Sequence, residues 1–252
     1  MTAWVDSHCH LHLAGQDPAE LLGRAAASGV AWLVCPGTDA AGSEEALRLA
    51  AAHPGVVFAA AGLHPHDASR WPQDGESIAR LAARAVAVGE CGLDFYRDLS
   101  PRRDQVAALQ AQFALARDLD KPLILHCRDA FAELYDEVEA AGVGPRTVLH
   151  CWTGGADWTR RFAPLGVTFS FAGTITYPTG EATREAAAVA PPERTMVETD
   201  TPYLTPPPRR NAPNEPANVV AVGRALAEVW GVAPEEVART TSATAARVFG
   251  VG

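Results

Sequence analysis

The chain has 252 residues, with 30 Asp and Glu against 21 Lys and Arg. At a formal net charge of -9 it is too acidic to bind polyanions over its whole surface, so any phosphate contact must be local. With 48% hydrophobic and 20% charged residues, the composition is that of an ordinary globular protein, and it excludes disorder, low complexity and a bilayer-crossing segment. Five cysteines suit no disulfide framework in a chain of this size, and the opening MTAWVDSHCH has no basic region followed by an apolar stretch. We therefore expect a reducing, cytoplasmic setting and no secretory leader.

In chain order, short apolar or β-branched runs alternate with Ala/Leu/Arg/Glu-rich stretches of helical spacing. The runs predict strands over 3–8, 31–35, 56–61, 86–89, 122–126, 147–150, 167–170 and 195–198. Between and after them the spacing predicts helices over 18–28, 44–52, 78–84, 103–119, 131–140, 157–163, 181–188 and 219–230. Strand followed by helix, eight times, is the pattern of an α/β protein of the (β/α)8 TIM-barrel type, and we read residues 1–252 as a single domain of that kind. The stretch 234–249, with Pro234 and then Glu235 and Glu236 at its start, predicts one or two further helices closing the outer wall. The rival arrangement, an open doubly wound sheet, needs a Gly-rich phosphate turn after the first strand, where this chain has Asp6-Ser7-His8-Cys9-His10.

Most metal-ligating side chains fall at the C-terminal ends of the predicted strands: His8 and His10 after the first, Glu90 after the fourth, His126, His150 and Asp200 after the fifth, sixth and eighth. In a barrel these six converge on one face. Any one alone reads as a hydrogen-bonding residue. Together they exceed the ligands that one ion needs, so two metals bridged by a carboxylate are expected, with N/O ligation suited to Zn, Mn, Ni or Mg. Lys121, the only lysine, lies about 16 Å before His126 at ~3.3 Å per residue, at the wrong end of the barrel to bridge as a carbamate. Glu90 is left for that role. A water shared by two cations becomes hydroxide near neutral pH and attacks in line, with Asp200 orienting it. By strand alternation, Cys9, Cys91, Cys127 and Cys151 point away from the ligands, toward the helices.

The motifs VDSHCHL (5–11), GLHPH (62–66), GECGLDFY (89–96), LHCRDA (125–130), LHCWTG (149–154) and ETDTPYL (198–204), in this order, resemble the TatD family of metal-dependent deoxyribonucleases. The likeness runs from Val5 to Phe249. It implies a (β/α)8 barrel, two divalent ions (Mg, Mn or Zn) and hydrolysis of phosphodiester bonds in DNA by a 3′ to 5′ exonuclease on single strands. It also implies that His8, His10, Glu90 and Asp200 hold one metal, that Glu90, His126 and His150 hold the other, and that His64 lies beside the substrate phosphate. A loop histidine such as His64 can instead cap backbone. Arg128 is a candidate phosphate clamp, or a partner of Asp129; Tyr203 is a candidate base-stacking residue, or packs against the proline loop. His12, His53 and His66 read as surface or loop residues.

The segment Arg210-Asn211-Ala212-Pro213-Asn214-Glu215-Pro216 departs from the family pattern by two basic residues and a glycine, with Asn211 expected to tolerate a left-handed backbone in glycine's place. Thr244 stands where the family often has Asn and is expected to cap a final helix. The alternative reading, an amidohydrolase acting on a small amide or ester, draws on the thinned basic loop and lacks a bridging lysine. A non-catalytic barrel would be missing a ligand.

Overall fold

The computed structural model describes residues 3–251; residues 1, 2 and 252 of the expected domain lie outside it. Eight strands form one parallel sheet in sequential order: β1 (Trp4–Asp6), β2 (Val30–Pro36), β3 (Val57–Ala61), β4 (Ala87–Asp94), β5 (Leu123–Arg128), β6 (Thr147–Leu149), β7 (Thr168–Phe171) and β8 (Thr195–Val197). Between the last strand and the first, Ser7 N–H donates to Val197 O (3.1 Å), Asp200 N–H to His8 O (2.9 Å) and His10 N–H to Thr201 O (2.9 Å). Asp6 ties the same seam, accepting from Thr199 N–H at 2.9 Å and from its hydroxyl at 2.6 Å. The sheet is thus a barrel, and the open doubly wound alternative falls.

Helices α1 (Pro18–Ala27), α2 (Ala40–Ala52), α3 (Trp71–Ala82), α4 (Arg102–Asp118), α5 (Phe131–Ala141), α6 (Gly155–Phe162), α7 (Glu181–Val189), α8 (Val219–Trp230) and α9 (Pro234–Phe249) follow or close the strands. Two begin a full turn or more earlier than expected. The Asp39 side chain caps α2 by accepting from Gly42 N–H at 2.7 Å, a start signal that Gly42 had masked, and α3 opens with Pro72 in its first turn, a position that needs no donor.

Alternation divides the apolar residues between two layers. Leu33, Ala59, Val88, Leu125, Leu149 and Phe169 face the helices, whereas Val5, Val34, Ala60, Ile124, Val148 and Met196 form a second cluster with Ala245 and Phe249 of α9. The last helix is a single element: Val237 and Ala238 join the outer apolar layer beside α8, as expected, while Ala245 and Phe249 pack into the N-terminal mouth. Thr244 lies within it and bonds Glu193 O at 3.2 Å, so it tethers the helix and does not cap it. Lys121 sits at that same end, its ammonium donating to the carbonyls of Ala82, Ala83 and Ala85.

One irregularity positions the site. Along β4 and β5, Val88 pairs with Leu123 but Cys91 with Leu125, so one extra residue bulges at Gly89-Glu90. Gly89 has φ +144, and a Cβ there would meet Ile124 O at 2.6 Å, so only glycine fits. The bulge lies inside a strand that continues to Asp94, which puts Glu90 in mid-strand and buried, where the sequence had suggested a strand end.

Candidate metal centre

The Glu90 carboxylate lies between two sets of imidazoles. Its Oε2 is 3.3 Å from His8 Nε2 and 3.2 Å from His10 Nε2; its Oε1 is 2.9 Å from His150 Nε2, 3.2 Å from His126 Nδ1 and 3.3 Å from His64 Nε2. Asp200 closes the first set, with Oδ1 at 3.8 Å from His8 and 3.6 Å from His10. All six sequence-derived ligand candidates therefore meet, with His64 added.

These spacings fit cations. Two atoms each ~2.1 Å from one ion lie about 3.0 Å apart at an octahedral angle and about 3.4 Å apart at a tetrahedral one. His8 Nε2 and His10 Nε2 are 3.1 Å apart, and His126 Nδ1 and His150 Nε2 are 3.4 Å apart.

The far side of each ring sorts ligands from donors, because a neutral imidazole binds metal only through its unprotonated nitrogen. His10 Nδ1 faces Pro36 O at 3.1 Å and His150 Nδ1 faces Glu198 Oε1 at 3.2 Å, so each carries its proton at the back and offers a bare Nε2 to the site. His126 turns Nε2 to Asp94 Oδ2 at 3.3 Å and offers Nδ1. His64 is the reverse. Its Nδ1 accepts the His66 N–H at 3.2 Å, which caps the short helix Pro65–Arg70, so the proton sits on Nε2 and points at Glu90. Both sequence readings of His64 meet in one ring: it caps backbone, and it presents a donor to the site.

Charge is strongly coupled here. Burial opposes ionisation of Glu90, but the surrounding imidazoles, His150 and His64 first and then His10 and His126, hold its carboxyl well below the usual range. Burial pushes Asp200 up to about 7 against the pull of His150 and His10. His150, also buried, is held well above the ordinary histidine value by Glu90 and Glu198, while burial takes His8 and His64 down to about 4.

The rim carries exposed groups. Arg128 lays its guanidinium 3.8 Å over the exposed Tyr96 ring, and among the described residues it makes no ion pair with Asp129. Tyr203 is 54% exposed and stands edge-on to His10 at 6.3 Å. In that loop Arg210 stacks on Tyr177 at 3.9 Å; the left-handed residues are Asp200 and Leu204, not Asn211.

Two carboxylates escaped the sequence reading. Asp94 joins His126 to His66, whose Nε2 is 2.9 Å from Asp94 Oδ2, and Glu198 stands behind His150. His66 is therefore part of the site's support and no free surface residue. The signal was present: Asp94 shares strand parity with Glu90, and Glu198 with Asp200. Cys9, Cys91 and Cys127 lie in the outer apolar layer as expected. Cys151 does not. It adopts φ 45, which breaks the alternation, and its thiol is held far above the usual range by burial and by the charges of Asp200, Glu198 and Glu90.

A family model described as TatD related DNase matches residues 5–250. The chain is 37% identical over 245 residues to the 3′-5′ ssDNA/RNA exonuclease TatD of Citrobacter rodentium, spanning 94% of this chain and 93% of that protein. It is 36% identical over 255 residues to the uncharacterized metal-dependent hydrolase YcfH of Escherichia coli K12, spanning 97% and 95%. The crystal structure of YJJV, a TatD homologue from Escherichia coli K12, superposes with a TM-score of 0.90 at 29% identity, covering 99% of this chain and 98% of that one. Likeness to a solved amidohydrolase, at 18% identity, is one of fold alone.

Proposed function

The chain belongs to the TatD related DNase family, and on that premise we propose that it is a hydrolase of phosphodiester bonds in single-stranded nucleic acid, DNA above all. It works from the 3′ end, with two divalent cations of the Mg, Mn or Zn kind at the barrel mouth. The observation that best supports this is Glu90, whose two oxygens face two separate sets of imidazoles, as a carboxylate shared by two cations requires. His8, His10, Glu90 and Asp200 would hold one cation; Glu90, His126 and His150 would hold the other. When bound, the pair supplies Lewis acidity at the phosphoryl group and acidifies water to near neutral pH.

The remaining work falls to the chain. His64 presents Nε2–H, a donor suited to a phosphate oxygen, and its proton is kept there by the His66 amide at the back. Arg128, with its guanidinium held flat on Tyr96, donates to a flanking phosphate, and Tyr203 stacks a base beside Asp200, which orients the attacking water. All five cysteines are free, in keeping with a cytoplasmic setting. Among the described residues no helix is long and apolar enough to cross a membrane. Only the thinned basic loop and a shared fold favour the amidohydrolase alternative.

The test is hydrolysis of 3′-labelled and 5′-labelled single-stranded DNA and RNA oligonucleotides, with and without chelator, with Mg, Mn or Zn restored, and with Glu90→Ala alongside. The expected result is a metal-dependent ladder from the 3′ end that the variant lacks. Cleavage that persists in chelated protein, or none with any of the three metals, overturns the reading.

A further inference from the structure

Three of the four candidate ligand imidazoles have an acceptor within 3.3 Å at their backs: Pro36 O behind His10, Glu198 behind His150, and Asp94 behind His126, whose Nε2 is close to the carboxylate but not aligned for a hydrogen bond. The fourth, His8, is fully buried and its Nδ1 has no hydrogen-bond partner. An unpartnered nitrogen at this depth costs free energy comparable to a lost hydrogen bond, and its tautomer is undefined. Only one buried carboxylate oxygen near it is equally unsatisfied. Glu198 is 0% exposed, and its Oε1 is taken by His150 Nδ1 at 3.2 Å and by the Cys151 N–H at 2.6 Å, whereas Oε2 has no partner.

Ring geometry brings these groups together. The His8 and His150 imidazoles are stacked, with centroids 3.8 Å apart and planes 10° from parallel, and both turn Nε2 toward Glu90. Their Nδ1 edges therefore lie on the side away from Glu90, and His8, His150 and Glu198 each place a ligand-type atom within 4.8 Å of the other two. Glu90 and Glu198 thus occupy opposite edges of one histidine stack.

We infer that Glu198 is a positioning residue for both cation positions at once: its Oε1 fixes the His150 tautomer, and its free Oε2, not yet in contact with His8, becomes the acceptor for His8 Nδ1 as the two imidazoles turn onto their cations. Because His8 belongs to one ligand set and His150 to the other, one buried carboxylate couples the two occupancies from behind, as Glu90 does from the front. Asp94, by contrast, serves only the His126 set. The inference rests on the two-cation reading above.

The test uses binding, not turnover. Chelated full-length protein is titrated with Zn by calorimetry and its bound metal counted, for wild type, Glu198→Gln and Asp94→Asn. Glutamine keeps the volume but presents an amide donor, and is expected to weaken both equivalents of Zn by about 10- to 100-fold, whereas Asp94→Asn weakens one. Glu198→Gln that weakens only one equivalent, or neither, overturns the inference. Three tight ions in wild type would make Glu198 a ligand and also overturn it. A wild type that binds a single ion strikes the two-cation reading itself, a failure visible before any variant is made.

A second measurement needs no variant to fold. In nitrogen-15 histidine spectra of the Zn-loaded wild type, His8 and His150 are both expected to show exchange-protected Nδ1 protons. A freely exchanging Nδ1 proton on His8 would overturn the shared role.

Discussion

The two ends of the barrel are built from the same strands at the same inward parity, and they differ in nearly every chemical respect. Along β5, Ile124 is followed two residues later by His126; from β6 onward Val148 gives way to His150; and after Met196 in β8 come Glu198 and Asp200. The lower layer is closed by Ala245 and Phe249 of α9 and is built from apolar side chains. The upper layer crowds five imidazoles around one carboxylate. One end has been arranged for packing, while the other accepts buried charge and unsatisfied atoms that a second component would relieve. Changes at the two ends should therefore separate activity from stability.

The sharpest contrast is Glu90→Ala, which removes the group common to both ligand sets. Oligonucleotide hydrolysis should vanish and bound metal should fall, while the thermal midpoint of the chelated protein moves less than for any large core truncation. At the opposite end, Phe249→Ala should cost about 3–5 kcal/mol in denaturant unfolding, because a buried aromatic leaves a cavity that α9 cannot collapse. Its activity per folded molecule should stay at the wild-type level, and a loss of kcat there would break the separation. His64→Ala should lower turnover by about 10²- to 10³-fold, as loss of a fixed donor to developing anionic charge does, with metal content unchanged. Metal loss equal to that of Glu90→Ala would make His64 a ligand. Smallest of all, Cys91→Ala in the outer apolar layer should cost about 1 kcal/mol and leave turnover intact, although it adjoins Glu90 in sequence.

Much of this division was legible beforehand, and the failures share a cause. Strand parity placed His126, His150 and Asp200 on one face and Cys9, Cys91 and Cys127 on the other, because period-two alternation holds wherever the backbone is extended. It failed at Cys151, where the backbone turns left-handed two residues after β6. It also gave no warning of the bulge at Gly89-Glu90, since a one-residue insertion leaves the local composition of a strand unchanged. Asp94 and Glu198 were passed over for a different reason. Their parity was correct, but a residue that holds a ligand from behind has the same sequence signature as one that holds nothing. The closure of the lower mouth by α9 depends on long-range packing of Phe249, which no local pattern of that helix reveals.

Lys121 gives the two ends a practical asymmetry. It is the only lysine, and it sits at the closed end with its ammonium already bonded to three carbonyls, so the open mouth presents no lysine ε-amine. Among the cations there, Arg128 and Arg210 are guanidiniums laid on aromatic rings. Amine-directed coupling to a bead or a fluorophore therefore leaves the mouth chemically untouched, and the protein can be tethered with its substrate-facing end free.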